Sequence, residues 1–220
     1  MIITGLKMKM MSSIGDLLNK VIPDPKCELN YNTDYELLIA VMLSAQTTDK
    51  RVNEVTKILF DKYRNLRALS EAKIEDIENI LRPLGSFRKK ALYVVEISKI
   101  IQNDYSGMVP TERGLLEKLP GVGRKTVSVF LSEFYEYPEF AVDTHVERVS
   151  KRLGIAKISD DVLTIEKKLK KYFPKEEWAY RHKQLVLFGR YHCKAVKPEC
   201  SSCLLNEFCK YEGNKKNLHL

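Results

Sequence analysis

Three groups of residues in this chain have the types and spacing to do chemistry. The first centres on a lysine. In "LPGVGRKTVSVF", residues 119–130, two glycines flank a valine and a basic pair follows, Arg124 and Lys125. An apolar run continues from there, so the pattern predicts that Lys125 falls in the first turn of a helix. The helix dipole disfavours positive charge at that end. A neutral lysine amine is a good nucleophile and forms Schiff bases with carbonyl carbons. Neighbouring Arg124 opposes the ammonium form as the dipole does, and partial burial would add to both. The alternative is a lysine that simply contacts a phosphate.

The second group is a carboxylate. Eighteen residues on, Asp143 stands in "AVDTHVERV", directly before Thr144. Thr144 and Glu147 have capping-box spacing, which predicts Thr144 as the cap and Asp143 one position outside it. The dipole of the coming helix favours a carboxylate there. Ala141 and Val142 supply a partly buried lead-in. A carboxylate near a nucleophilic amine can orient it, accept its proton or stabilise a cationic transition state. Otherwise Asp143 is an ordinary helix-start aspartate.

The third group is a cysteine quartet. Cys193, Cys200, Cys203 and Cys209 read C-x6-C-x2-C-x5-C, in a stretch with few large apolar residues. Thiols closing so short a loop in a reducing compartment point to a metal site rather than disulfides. Zinc and a [4Fe–4S] cluster both fit that donor set, and spacing alone does not choose between them. Cys27 stands alone and reads as a plain buried or surface thiol.

The elements that must position these groups are helices. Apolar residues recur at helical spacing in Ile14, Leu17, Leu18 and Val21; in Val52, Val55, Ile58 and Leu59; in Ile74, Ile77, Ile80 and Leu81; and from Leu92 through Ile101. Thr33 and Glu36 have capping-box spacing ahead of "LLIAVML". A short helix holding Leu115, Leu116 and Leu119 precedes the glycines, and further helices are predicted around 127–134, 146–153, 162–172 and 176–191. No segment alternates with period two between hairpin turns, so the expected fold is all-α. The paired glycines of "LPGVG" permit a tight turn and a close approach by another backbone. The amides of Gly121, Val122 and Gly123 would then face outward at a helix N-terminus, a ready seat for a phosphate. A plain helix–helix turn is the other reading.

Bulk properties set the frame. The 220 residues are 44% hydrophobic and 30% charged, an ordinary globular composition with no need of disulfide staples. A net charge of +8 fits a nucleic-acid or membrane-surface partner, though many soluble proteins reach it with neither. The longest apolar run, Leu37 to Leu43, is far short of the roughly 20 residues a membrane span needs. The start, "MIITGLKMKMM", holds two lysines and no secretory apolar stretch. The protein is therefore expected to be cytoplasmic, nucleoid-associated if prokaryotic. Its several early methionines leave the true start open.

Taken together, the motifs resemble the endonuclease III family of DNA glycosylases. "ELLIAVMLSAQTTD" (36–49), "LPGVGRKT" (119–126), "AVDTH" (141–145), "GRYHC" (189–193) and the cysteine pattern stand in that family's order and spacing. The resemblance implies two α-helical domains with a DNA cleft between them. One would be a six-helix bundle over 27–137 carrying a helix-hairpin-helix. The other would join 1–26 to 138–220 and hold a [4Fe–4S] cluster on the four cysteines. It implies a monomer acting on double-stranded DNA with oxidised pyrimidines or abasic sites. Lys125 would be the nucleophile and Asp143 its carboxylate partner. Base removal would pass through a Schiff base, and β-elimination would nick the strand.

The resemblance also names contacts to DNA. Gln46 matches the glutamine that fills the space left by the flipped base. The apolar wedge opposite departs from the family pattern, because "LGSFRKKA" puts Ser86 after Gly85 and Phe87 next. Either Phe87 serves as wedge or the wedge is weakened. Lys194 and Lys197 would grip phosphate from the loop after Cys193, while Val196 and Glu199 reduce its charge. His145 could reach a phosphate; His182, His192 and His219 read as structural or solvated. One competing reading is the adenine-mismatch glycosylase of the same superfamily, which lacks a lysine at the Lys125 position and carries a further C-terminal domain not expected after Cys209. The other is a non-enzymatic helix-hairpin-helix module with a zinc knob.

Overall fold

The computed structural model describes residues 14–211, and among these it is helical with no strand. The lysine-bearing start segment and His219 lie outside the described residues. In chain order the helices are α1 (described over 14–21), α2 (Asp34–Leu43), α3 (Asp49–Lys62), α4 (Leu66–Ser70), α5 (Ile74–Leu81) and α6 (Phe87–Asp104). Then come α7 (Arg113–Leu116), α8 (Arg124–Phe134), α9 (Thr144–Arg152), α10 (Val162–Tyr172) and α11 (Trp178–Tyr191). Among the described residues no helix is long and apolar enough to cross a membrane.

The chain forms two compact units. One is Cys27–Glu136. Its centre is α2, in which every residue from Tyr35 to Leu43 is buried. An apolar run without a polar face can only be satisfied by neighbours on all sides. α3 and α8 pack on it, and α6 lies against α4 and α5. Thr33 caps α2 by accepting from the Glu36 amide at 3.4 Å, while the Glu36 carboxylate accepts from the Asn32 amide at 2.6 Å. The capping box is thus offset by one residue at its return bond. Ile58 and Leu92 lie on predicted apolar stripes but turn outward. The stripe of α3 that reaches the core is Val52, Val55 and Leu59, and Ile58 sits about 100° around the helix from Leu59.

The other unit joins the chain before Cys27 to the chain from Tyr137 onward. Its core holds Ile14 and Leu18 of α1 beside Val146, Val149, Leu169, Leu185 and Phe188. Arg181 of α11, nearly fully buried, stitches the two ends together. Its guanidinium donates to the Gly15 carbonyl at 3.0 Å, the Asn19 side-chain oxygen at 2.7 Å and the Gln184 side-chain oxygen at 2.7 Å. A buried charge is stable only when its donors are satisfied in this way. His182 is buried edge-on to Phe140, while His192 is half-exposed and stacks on Phe188.

Candidate functional site

The lysine lies where its motif placed it. α7, the turn after it and α8 form a helix-hairpin-helix whose apolar residues Leu116, Leu119, Val122 and Val127 are all buried. Arg113 on α7 donates to the Ser128 hydroxyl on α8 at 3.0 Å and pairs with Glu117 at 3.1 Å, fixing the angle of the motif. Lys125 is the second residue of α8 and is exposed, so the burial expected to act on its amine is not there. The N-cap is Gly123, which has no side chain to offer the first-turn amides. Those donors are left for water or a ligand.

The two hairpin glycines do different work. Gly121 has φ +73°, and a Cβ there would lie 2.3 Å from the Tyr93 ring of α6. Only glycine suits that backbone and that contact. Gly123 has φ −100°, and a Cβ there would meet nothing within 4 Å. Its missing side chain instead leaves an open approach to the start of α8. Val122 departs from the expected phosphate seat. Its amide already donates to the Leu119 carbonyl at 3.1 Å and its side chain is buried, because the valine plugs the turn into the core.

Asp143 belongs to the other unit and is itself the N-cap of α9. One carboxylate oxygen accepts from the His145 amide at 2.9 Å and from the Val146 amide at 2.8 Å. The expected Thr144 cap is corrected by one residue: Thr144 is the first helical residue, and Glu147 bonds Lys151 at 2.6 Å rather than reaching back. An aspartate caps as well as a threonine, and here its carboxylate also meets the dipole.

The same helix holds the cysteine loop. Arg148 donates to the Cys193 carbonyl at 3.0 Å and the Gly189 carbonyl at 2.6 Å. Arg152 donates to the Lys194 carbonyl at 2.7 Å and the Cys193 sulfur at 3.3 Å. Gly189 lets α11 approach this closely, since a Cβ there would lie 2.9 Å from His145 Cβ. The four cysteines line one cavity, which is partly open to solvent. Among the described residues, no three Cys, His, Asp or Glu side chains are placed to hold one metal ion. Burial, then the neighbouring thiols, push the Cys200 and Cys209 thiols up; burial likewise raises Cys203.

A family model described as HhH-GPD superfamily base excision DNA repair protein matches residues 39–175. The chain is 45% identical to endonuclease III of Bacillus subtilis (strain 168), over 96% of both chains. It belongs to the endonuclease III family. Endonuclease III of Escherichia coli (strain K12) is 40% identical over 86% of this chain and 90% of its own. A solved structure described as a trapped endonuclease III–DNA covalent intermediate, in an estranged-adenine complex, superposes with a TM-score of 0.88. That structure is 46% identical to this chain and covers 96% of it and 98% of its own chain. As a member of that family, the protein is a DNA glycosylase and AP lyase of base excision repair.

The remaining residues that the sequence singled out fall unevenly. Gln46 is exposed, in a loop after α2, with φ 57°. Ser86 is exposed with φ 56° as the N-cap of α6. Phe87 departs from the expected wedge: its ring packs against the bundle core and takes the Arg88 guanidinium at 5.1 Å from its centroid. The exposed tip is therefore Ser86. Lys194 is held by Glu199 at 2.8 Å, while Lys197 is exposed with φ 51°. Arg148 faces His145 Nδ1 at 3.1 Å, and a guanidinium only donates, so Nδ1 accepts and the ring proton sits on Nε2. Sequence reasoning passed over Arg148, Arg152 and Lys90. Lys90 carried a signal, because with Val94, Ile97 and Ile101 it falls on the apolar stripe of α6.

Proposed function

We propose that this protein removes oxidised pyrimidines from duplex DNA with Lys125 as nucleophile and Asp143 as its carboxylate partner. Flipping the damaged nucleotide out of the stack costs a few kcal/mol, less than for an intact base. The Lys125 amine forms a bond to C1′ as the C1′–N bond to the base breaks and the base leaves with the electron pair. Asp143 stabilises the cationic sugar and takes up the proton that the amine sheds. The nitrogen lone pair then breaks the C1′–O4′ bond, O4′ takes the proton held by Asp143 as the sugar ring opens, and the resulting protonated Schiff base acidifies C2′. Loss of that proton expels the 3′ oxygen, and the strand is nicked 3′ to the lesion. The observation that carries the reading is the uncapped start of α8, with Lys125 exposed beside a glycine that leaves its approach open.

Gln46 and Ser86 are read as the residues that enter the duplex, with Ser86 giving a weakened wedge. Gly121, Gly123 and the first turn of α8, without the Val122 amide, seat a backbone phosphate. His145, through Nε2–H, and Lys197 add further phosphate contacts, and Lys194 joins them when released from Glu199. We read the protein as a cytoplasmic monomer.

Cys193, Cys200, Cys203 and Cys209 are assigned to a [4Fe–4S] cluster. The four thiols share one cavity, and four cysteine thiolates are the donor set that a [4Fe–4S] centre takes. When bound, the group supplies a covalent cross-link that ties the end of α11 to the loop behind it. Purified protein should be brown; a colourless zinc protein would contradict the assignment.

The test is a lesion panel with borohydride trapping. Oxidised pyrimidines in duplex DNA should give a covalent protein–DNA product, and undamaged duplex none. Trapping on no oxidised pyrimidine would overturn the substrate class.

A further inference from the structure

Lys90 is almost fully buried, yet the chemistry above makes no use of it. It is the fourth residue of α6, one of three consecutive basic residues, and the two before it are exposed. Its ammonium donates to the Leu43 carbonyl at 2.9 Å, the Ala45 carbonyl at 2.9 Å and the Thr47 hydroxyl at 3.2 Å. Leu43 ends α2, so its carbonyl is one that the helix cannot satisfy and that carries the negative end of the dipole. Burial pushes the Lys90 amine below its ordinary value.

The acceptors bracket Gln46. The carbonyl before it and the hydroxyl after it are both bound to one ammonium, and Gln46 between them holds φ 57°. A side chain other than glycine rarely holds that conformation unless its surroundings impose it. The Lys90 amide, meanwhile, donates to the Ser86 carbonyl at 3.1 Å, and Ser86 holds φ 56°. Lys90 therefore bonds both neighbours of Gln46 and Ser86 itself, and so ties together two of the four exposed left-handed non-glycine positions of this unit. Side chains that enter a duplex must be held in place before they meet it, or the ordering cost falls on the flipping step.

We propose that Lys90 is a positioning residue that locks the Gln46 loop to the Ser86 end of α6, so that both segments enter the duplex as one preformed body. This rests on the reading of Gln46 as a residue that fills the space left by the flipped nucleotide. It adds a role for a side chain that itself touches no DNA.

The test uses single-turnover base release by the full-length protein on two substrates. In one, an oxidised pyrimidine sits in a fully paired duplex. In the other, the same lesion lies in a short mismatched bubble, where the cost of separating the pair is already met. Gln46→Ala and Lys90→Met should each slow the paired substrate about tenfold and the bubble by less than about threefold, and the double variant should be little slower than Gln46→Ala alone. If Gln46→Ala is slow while Lys90→Met matches wild type on the paired duplex, the positioning role is wrong. Equal slowing on both substrates, or multiplying effects in the double variant, reduces Lys90 to a plain structural residue and also overturns it. A wild-type rate for Gln46→Ala would instead sink the Gln46 reading and the proposal with it. Should Lys90→Met lose its cooperative melting transition, Thr47→Val removes one of the three bonds alone. It should slow the paired duplex and spare the bubble, and the reverse or no effect counts against the proposal.

Discussion

The starts of α8 and α9 carry the same dipole and opposite solutions to it. At α9 the chain fills the site itself: Asp143 lays a carboxylate oxygen on two of the first amides. At α8 the cap is glycine, no side chain answers the amides, and the nearby charges are positive, Arg124 and Lys125. The first arrangement is finished without a ligand. The second is electrostatically incomplete, and it gains most from an anion supplied from outside. The proposed mechanism uses both kinds: a carboxylate held in place at one helix start, and at the other an open seat for a phosphate beside an exposed amine.

Replacing each residue in that comparison should sharpen it. The largest effect is expected at Asp143. Asparagine caps nearly as well as aspartate, so Asp143→Asn should melt close to wild type while base release slows by about 10²- to 10⁴-fold. Asp143→Ala should add a stability loss of about 1 kcal/mol from the missing cap. Stopped-quench kinetics and thermal melting separate the two, and an unchanged rate in Asp143→Asn would reduce the residue to a cap.

The hairpin glycines come next. Gly121→Ala forces a left-handed alanine against the Tyr93 ring, and calorimetry should show a loss of roughly 2–4 kcal/mol. Gly123→Ala adds a methyl where nothing lies within 4 Å, so stability should stay within about 0.5 kcal/mol. Duplex binding should nonetheless weaken about tenfold, because the methyl stands in the approach to the first turn. If the two variants bind DNA alike once folded, the open seat at α8 is not used.

The smallest effect is expected at Glu199. Its carboxyl is held below the usual range by the Lys194 ammonium, through a hydrogen bond first and charge second. Glu199→Gln should free Lys194 and steepen the salt dependence of duplex binding by up to about one unit of slope. No change in slope would mean that Lys194 stays off the phosphates in either state.

What could be read from the sequence was local, and what could not was set by distant partners. The nucleophile, the carboxylate, the cysteine quartet and the helical stripes are all patterns within short windows. The one-residue error at α9 arose because Asp143 and Thr144 are adjacent and both are good caps; only backbone geometry chooses. Ser86 and Phe87 could not be told apart until the start of α6 was placed, which turns the ring inward and leaves the serine at the tip. Arg148 and Arg152 reach the cysteine loop across more than forty residues of sequence, a contact no window contains. Lys90 is an intermediate case. Its place on an apolar stripe was visible, but a basic run invites a solvated reading, and its three acceptors lie more than forty residues earlier.

The central claim is that Lys125, at the helix start the chain leaves uncapped, is the residue that bonds to the sugar. It is tested by borohydride reduction of wild type and Lys125→Ala on duplex carrying an oxidised pyrimidine, with the adduct mapped by peptide mass spectrometry. The account predicts a stable adduct on the peptide containing Lys125 in the wild type and none in Lys125→Ala, whose melting temperature is unchanged. Full trapping by Lys125→Ala, or an adduct on any other lysine in the wild type, would contradict it.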